Sequence, residues 1–187
     1  TGVNLELATE SGILDIACEL APMQATLVPE RRQEITTEGG LDLADTARRE
    51  RVGEALARLS EAGVRTSLFI DPDRDALRHS AELGADAVEL HTGEYANAAH
   101  PDAAARQVER LEAAAAYGRE LGLAVHAGHG LTYENVGPVA AIRTIEELNI
   151  GHSVVSRAIF LGLERAVREM AQILRRARGA ETPRSLP

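Results

Sequence analysis

Residues able to move protons or hold anions recur along this chain at the ends of short apolar runs. His129 sits between two glycines in Ala127-Gly128-His129-Gly130-Leu131-Thr132, directly after Leu123-Ala124-Val125. Glycine lets a backbone turn sharply and come close to a ligand, so this imidazole is presented at a rim, where it can exchange protons near neutral pH. Glu6 alternates with Leu5 and Leu7, and Glu89 and His91 alternate with Val88 and Leu90. If the apolar partners pack against helices, the polar ones face the opposite side of a sheet. A carboxylate desolvated there rises toward a range useful for general acid/base work. Either Glu89 or His91 serves as a proton carrier in this reading, or one orients the other. Gly151-His152-Ser153 leads into a helix, whose N-terminal N–H groups and dipole favour a phosphate. The alternative there is an ordinary tight turn with Ser153 as N-cap. His126 reads as a packing or capping residue, and His79 and His100 as solvated histidines of a helix and a loop.

Positioning these groups requires a scaffold, and the pattern supplies one. Strand-length apolar runs alternate with longer helical patterns, the signature of βα units on a parallel sheet. Strands are expected at 3–7, 25–28, 66–70, 87–91, 123–127 and 147–150. Helices are expected at 11–20, with Ser11 as N-cap, then at 45–62, 74–83, 102–121 and briefly around 139–142. A last helix over 154–178 carries Ile159, Leu163, Val167, Met170 and Leu174 on one apolar face. The polar stretch 30–41, with Thr36 and Thr37, is too long for a mere connection and is placed to contact a ligand. One barrel domain, 1–178, and a frayed tail, 179–187, account for the chain.

No G-x-G-x-x-G fingerprint follows the first strand, which disfavours a dinucleotide-binding open sheet and favours an α/β (β/α)8 TIM barrel. In a barrel the strand C-terminal ends carry the site. That rule gathers Asn4, Glu6, Thr36, Thr37, Glu89, His91, His129 and His152. Six strands are two fewer than such a barrel needs, and a start at Thr1 without methionine places the expected missing pair at the front.

Composition narrows the function classes. A net charge of −9 argues against a broad basic face for nucleic acid. No apolar run approaches the roughly 20 residues of a membrane span. The single cysteine, Cys18, excludes an internal disulfide and fits a reducing cytoplasm, where the chain is expected to reside. No H-x-x-x-H or H-E-x-x-H spacing occurs, so no metal site is expected. The sequence contains no lysine, which argues against a Schiff-base aldolase.

Motifs spread along the chain in order resemble those of the pyridoxine 5′-phosphate synthase family, the deoxyxylulose-phosphate-dependent enzymes of vitamin B6 biosynthesis. They are Asn4-Leu5-Glu6-Leu7-Ala8, the stretch from Leu27-Val28-Pro29-Glu30-Arg31-Arg32 to Asp42, and Val64-Arg65-Thr66-Ser67-Leu68-Phe69-Ile70-Asp71. Glu89-Leu90-His91-Thr92-Gly93, Ala127 to Tyr133, and Glu147-Leu148-Asn149-Ile150-Gly151-His152-Ser153 complete the set. The resemblance implies a (β/α)8 barrel that joins 1-deoxy-D-xylulose 5-phosphate to 3-amino-2-oxopropyl phosphate, closing a pyridine ring with release of phosphate and water. It implies no cofactor and a homo-octamer. By motif, Glu6 would be a general acid/base, His129 a proton donor and Glu89 a stabiliser of transition-state charge. Thr36, Gly130, Gly151 and His152 would bind substrate or product. His126 stands where the resemblance leads one to expect asparagine, and the family's first two strands, with further site residues, have no counterpart here. A truncated, non-catalytic relative that binds phosphate ligands or serves as an assembly subunit is the alternative.

Overall fold

The structure, a computed structural model, describes residues 2–29 and 39–179. Thr36, Thr37 and the tail beyond Gly179 lie outside the described residues. Six strands, β1 (Asn4–Leu7), β2 (Gln24–Leu27), β3 (Arg65–Ile70), β4 (Ala87–His91), β5 (Ala124–Gly128) and β6 (Glu147–Asn149), form one sheet in chain order. Every neighbouring pair is parallel, as βα connections require. The helices are α1 (Ser11–Leu20), α2 (Thr46–Glu61), α3 (Arg74–Glu82), α4 (Gly93–Ala96), α5 (Pro101–Glu120), α6 (Val136–Ala141), α7 (His152–Leu161) and α8 (Leu163–Ala177).

Strand register divides the sheet into two chemically different faces. Phe69 pairs with Glu89, Glu89 with His126, and His126 with Glu147. Side chains of laterally paired residues share a face, so this row is polar on β4, β5 and β6, with Phe69 of β3 at its end. Glu6, Thr26 and Ser67 form a second such row, and His91, Gly128 and Asn149 a third. The intervening residues, among them Leu27, Leu68, Ile70, Val88, Leu90 and Val125, are fully buried in one core with Leu56 and Leu59 of α2, Leu77 of α3 and Leu111 of α5. Each such side chain removed from water contributes roughly 1.5–3 kcal/mol, which sets register firmly, because a one-residue slip would turn the leucines outward.

Helix starts follow their caps. Asp45 accepts from Arg48 N at 2.7 Å, and Asp73 accepts from Asp75 N and Ala76 N at 2.9 and 3.1 Å. At α1 the expected cap is off by one residue. Glu10 is extended and its carbonyl accepts the first helical bond from Leu14 N, so Ser11 is already the first residue of the helix. The expected long final helix is two helices, because Gly162 adopts φ 81° with ψ 151° and interrupts the hydrogen-bond ladder. Its apolar face is likewise divided. Met170 is buried, whereas Ile159, Leu163 and Val167 are 78%, 61% and 50% exposed. No helix among the described residues is long and apolar enough to cross a membrane.

Candidate active site

The buried ionisable side chains of the polar face, Glu89, His91 and His126, stand on β4 and β5. Glu89 is 4% exposed, and its Oε2 accepts from Asn149 Nδ2 at 2.6 Å. Burial pushes the Glu89 carboxyl up to about 7. The Asn149 hydrogen bond pulls the other way, and the nearby carboxylates of Glu6 and Glu147 add to the rise. Gly128 makes room for this group: a Cβ there would lie 2.2 Å from Glu89 Oε1 and 3.0 Å from the Asn149 carbonyl oxygen. This glycine is therefore a packing requirement of the carboxylate as well as part of a turn. Glu6, on β1, is exposed, so the desolvated carboxylate is Glu89.

His129 follows at the end of β5 with φ 83°, a left-handed conformation rare for a residue with a side chain. Gly130 continues at φ 76°, and a Cβ there would meet the Ala96 side chain at 2.6 Å. The His129 ring packs against His91, with centroids 5.0 Å apart, and lies 6.3 Å from Phe69. His91 is buried, and its Nδ1 donates to Asp71 Oδ1 at 3.1 Å. That bond, aided by one from Gly40 N, holds the Asp71 carboxyl below the usual carboxylate range against partial burial.

His126 is buried, as a packing residue is expected to be, yet it stands among polar neighbours. It lies on the polar face in register with Glu89, is 2% exposed, and its Nδ1 has no hydrogen-bond partner among the described residues. Burial chiefly lowers its pKa, which favours the neutral ring. His79 is not solvated either: its Nδ1 is 3.1 Å from Glu82, and its side chain is 16% exposed. His100 is exposed as the N-cap residue of α5. Cys18 packs with its Sγ 3.7 Å from the Arg58 carbonyl.

Gly151 is the N-cap residue of α7 and His152 its first residue, both exposed. Ser153 is not the cap, because its hydroxyl donates instead to the Leu131 carbonyl at 3.0 Å and ties the start of α7 to the loop after β5. Between them runs an open groove of about 610 Å³ lined by Thr132, Glu134, His152, Ser156 and Phe160, among others. The structure thus places Glu89 within β4 and His129 and Gly130 just past the end of the adjoining β5, and puts His152, next to its N-cap Gly151, on the groove. Asn149, Asp71 and Thr92 were missed in the sequence. Parity marks Asn149, and Asp71 directly follows a strand, but short polar residues are common at strand ends and carry no distinguishing signal.

A parallel α/β sheet with ionisable side chains on one face and at its C-terminal ends defines a barrel-type enzyme scaffold. Solved structures with this fold include a mandelate oxidase, 16% identical with TM-score 0.63 over 94% of this chain and 57% of that one. They also include the HpcH/HpaI aldolase from Desulfitobacterium hafniense DCB-2, 12% identical with TM-score 0.53 over 95% and 73%. At these identities the likeness concerns the fold alone.

The particular family is defined by sequence: residues 1–176 match the family described as pyridoxal phosphate biosynthesis protein PdxJ, and the chain belongs to it. A relative named pyridoxine 5′-phosphate synthase from Sulfurihydrogenibium sp. (strain YO3AOP1) is 49% identical over 94% of this chain and 71% of its own length. Another of that name, from Synechococcus sp. (strain JA-2-3B'a(2-13)), is 54% identical over 93% and 72%.

Proposed function

We propose that this protein is a pyridoxine 5′-phosphate synthase that joins 1-deoxy-D-xylulose 5-phosphate to 3-amino-2-oxopropyl phosphate, with release of phosphate and water. The observation that supports the reading is that Glu89, on β4, and His129, directly after the adjoining parallel strand β5, are both named by the family's motifs. Condensing an amine with a ketone, shifting protons on carbon and expelling water require several acid/base groups around one pocket. Glu6 acts as general acid/base and His129 as proton donor. Glu89, which changes charge near neutrality, stabilises positive charge as it develops. Thr36, Gly130, Gly151 and His152 bind the substrates, the last two at the N-terminus of α7, where N–H groups favour a phosphate despite the acidic whole. The reaction calls for neither metal nor organic cofactor.

The enzyme is proposed to work in the cytoplasm as a homo-octamer. The exposed Ile159, Phe160 and Leu163 support an assembly role for the α7–α8 corner. The test of function is turnover of the two substrates by the parent and by His129→Ala. The variant is expected to keep the parent's circular dichroism and lose at least about a hundredfold in turnover. A parent unable to form product, or a variant as active as the parent, would refute the reading.

A further inference from the structure

Two sets of contacts hold His129, one from Thr92 to its backbone and one from the Asp71–His91 pair to its ring. Thr92, just past β4, donates its N–H to the Gly128 carbonyl at 2.9 Å. Its Oγ1 stands 2.7 Å from the same oxygen and 2.5 Å from the His129 carbonyl, so one hydroxyl hydrogen is shared between consecutive carbonyls. Thr92 is itself 1% exposed, leaving no room for water to replace it. These bonds close on the residue whose φ of 83° costs about 1–3 kcal/mol and persists only where its surroundings hold it.

The ring is held separately. Asp71 Oδ1 accepts from both His91 Nδ1 and Gly40 N, each at 3.1 Å. An ionised carboxylate only accepts, so Nδ1 carries the hydrogen, and in the neutral ring Nε2 carries none. That Nε2 is buried without a hydrogen-bond partner among the described residues and abuts Gly93, where a Cβ would come within 2.4 Å. With Asp71 at one end and the Gly93 backbone at the other, the His91 ring is confined to one orientation. It forms the wall against which His129 packs at 5.0 Å and 60°.

We propose that Thr92 and the Asp71–His91 pair are positioning residues for His129: the threonine fixes its backbone and the pair fixes the surface its ring leans on. The inference rests on the reading of His129 as proton donor. A misplaced proton donor slows the chemical step while leaving substrate binding largely intact.

The experiment compares Thr92→Val with Thr92→Ser, and Asp71→Ala with Asp71→Asn, in the intact protein. Asparagine is a suitable rescue because both bonds go to a single oxygen, Oδ1, which an amide carbonyl can reproduce. Valine and alanine are expected to lower kcat about tenfold or more with KM within about twofold, and serine and asparagine to restore most of it. Unchanged kcat in the folded valine and alanine variants overturns the proposal, as does a loss that the conservative variants fail to rescue. Should Thr92→Val not fold, the half-exposed Asp71 pair decides alone. His129→Ala assayed alongside separates the two claims. If it retains full turnover, the role of His129 has failed; if it is inactive while the others are unaffected, only the positioning claim has failed.

Discussion

Glu89 and Glu6 are the same residue type on the same face of one sheet, yet their surroundings are opposite. Glu89 stands on β4, flanked by β3 and β5, and is buried with Asn149 on one oxygen and the Gly128 backbone against the other. Glu6 stands on β1, which has β2 as its only strand neighbour among the described residues, and faces solvent. Burial pushes the Glu89 carboxyl up to about 7, whereas the Glu6 side chain lies open to solvent.

The largest effect is expected at the open end. Glu6→Gln should lower turnover about a hundredfold or more while leaving stability within about 0.5 kcal/mol, the range for exposed substitutions. A variant as active as the parent would make Glu6 a bystander and break the comparison from that side.

At the buried end the main effect is on stability. The Glu89 carboxyl lies at about 7 against an ordinary 4.5, so the folded state binds the proton more tightly than the unfolded chain. Its contribution is fully present below pH 4.5 and is lost as pH rises through about 7. Glu89→Gln, which cannot ionise, should therefore be more stable than the parent at pH 8, by up to roughly 3 kcal/mol, and equal to it below pH 4.5. Thermal denaturation of both proteins across this window checks the sign. A parent that gains stability relative to the variant as pH rises would contradict the burial argument.

The smallest effect concerns the space beside that carboxylate. Gly128→Ala should cost about 1–3 kcal/mol by denaturant unfolding, because the added methyl meets Glu89 Oε1 and the Asn149 backbone. Combining it with Glu89→Ala should recover part of the loss. A double variant no more stable than the sum of the single changes would mean that Gly128 serves only the backbone.

Much of the fold was legible in the sequence because its cues are local. Leu5-Glu6-Leu7 and Val88-Glu89-Leu90-His91 announce strands with one polar face, and Asp45 and Asp73 announce helix starts. The site was legible in part. His129 between glycines does follow directly on a strand end, where its φ of 83° was not foreseen, and Glu89 does face the polar side. The errors occurred where a local cue competes with a distant partner. Ser153 resembles a cap but bonds to Leu131, and His79 resembles a solvated histidine but its Nε2 lies 3.5 Å from the Arg49 guanidinium. The last helix has a continuous apolar period across Gly162, although the backbone breaks there.

The sequence by itself determined the order of βα units, the alternation that separates a leucine-rich face from a polar one, and the family. These depend on spacings of a few residues. Only the tertiary structure decided that Glu89, and not Glu6, is desolvated, that Asn149 reaches it from sixty residues away, and that Thr92 and Asp71 lie behind His129. Burial and hydrogen bonding across a sheet depend on which strands become neighbours. That is set only when the whole chain packs and every buried polar group must find its partner.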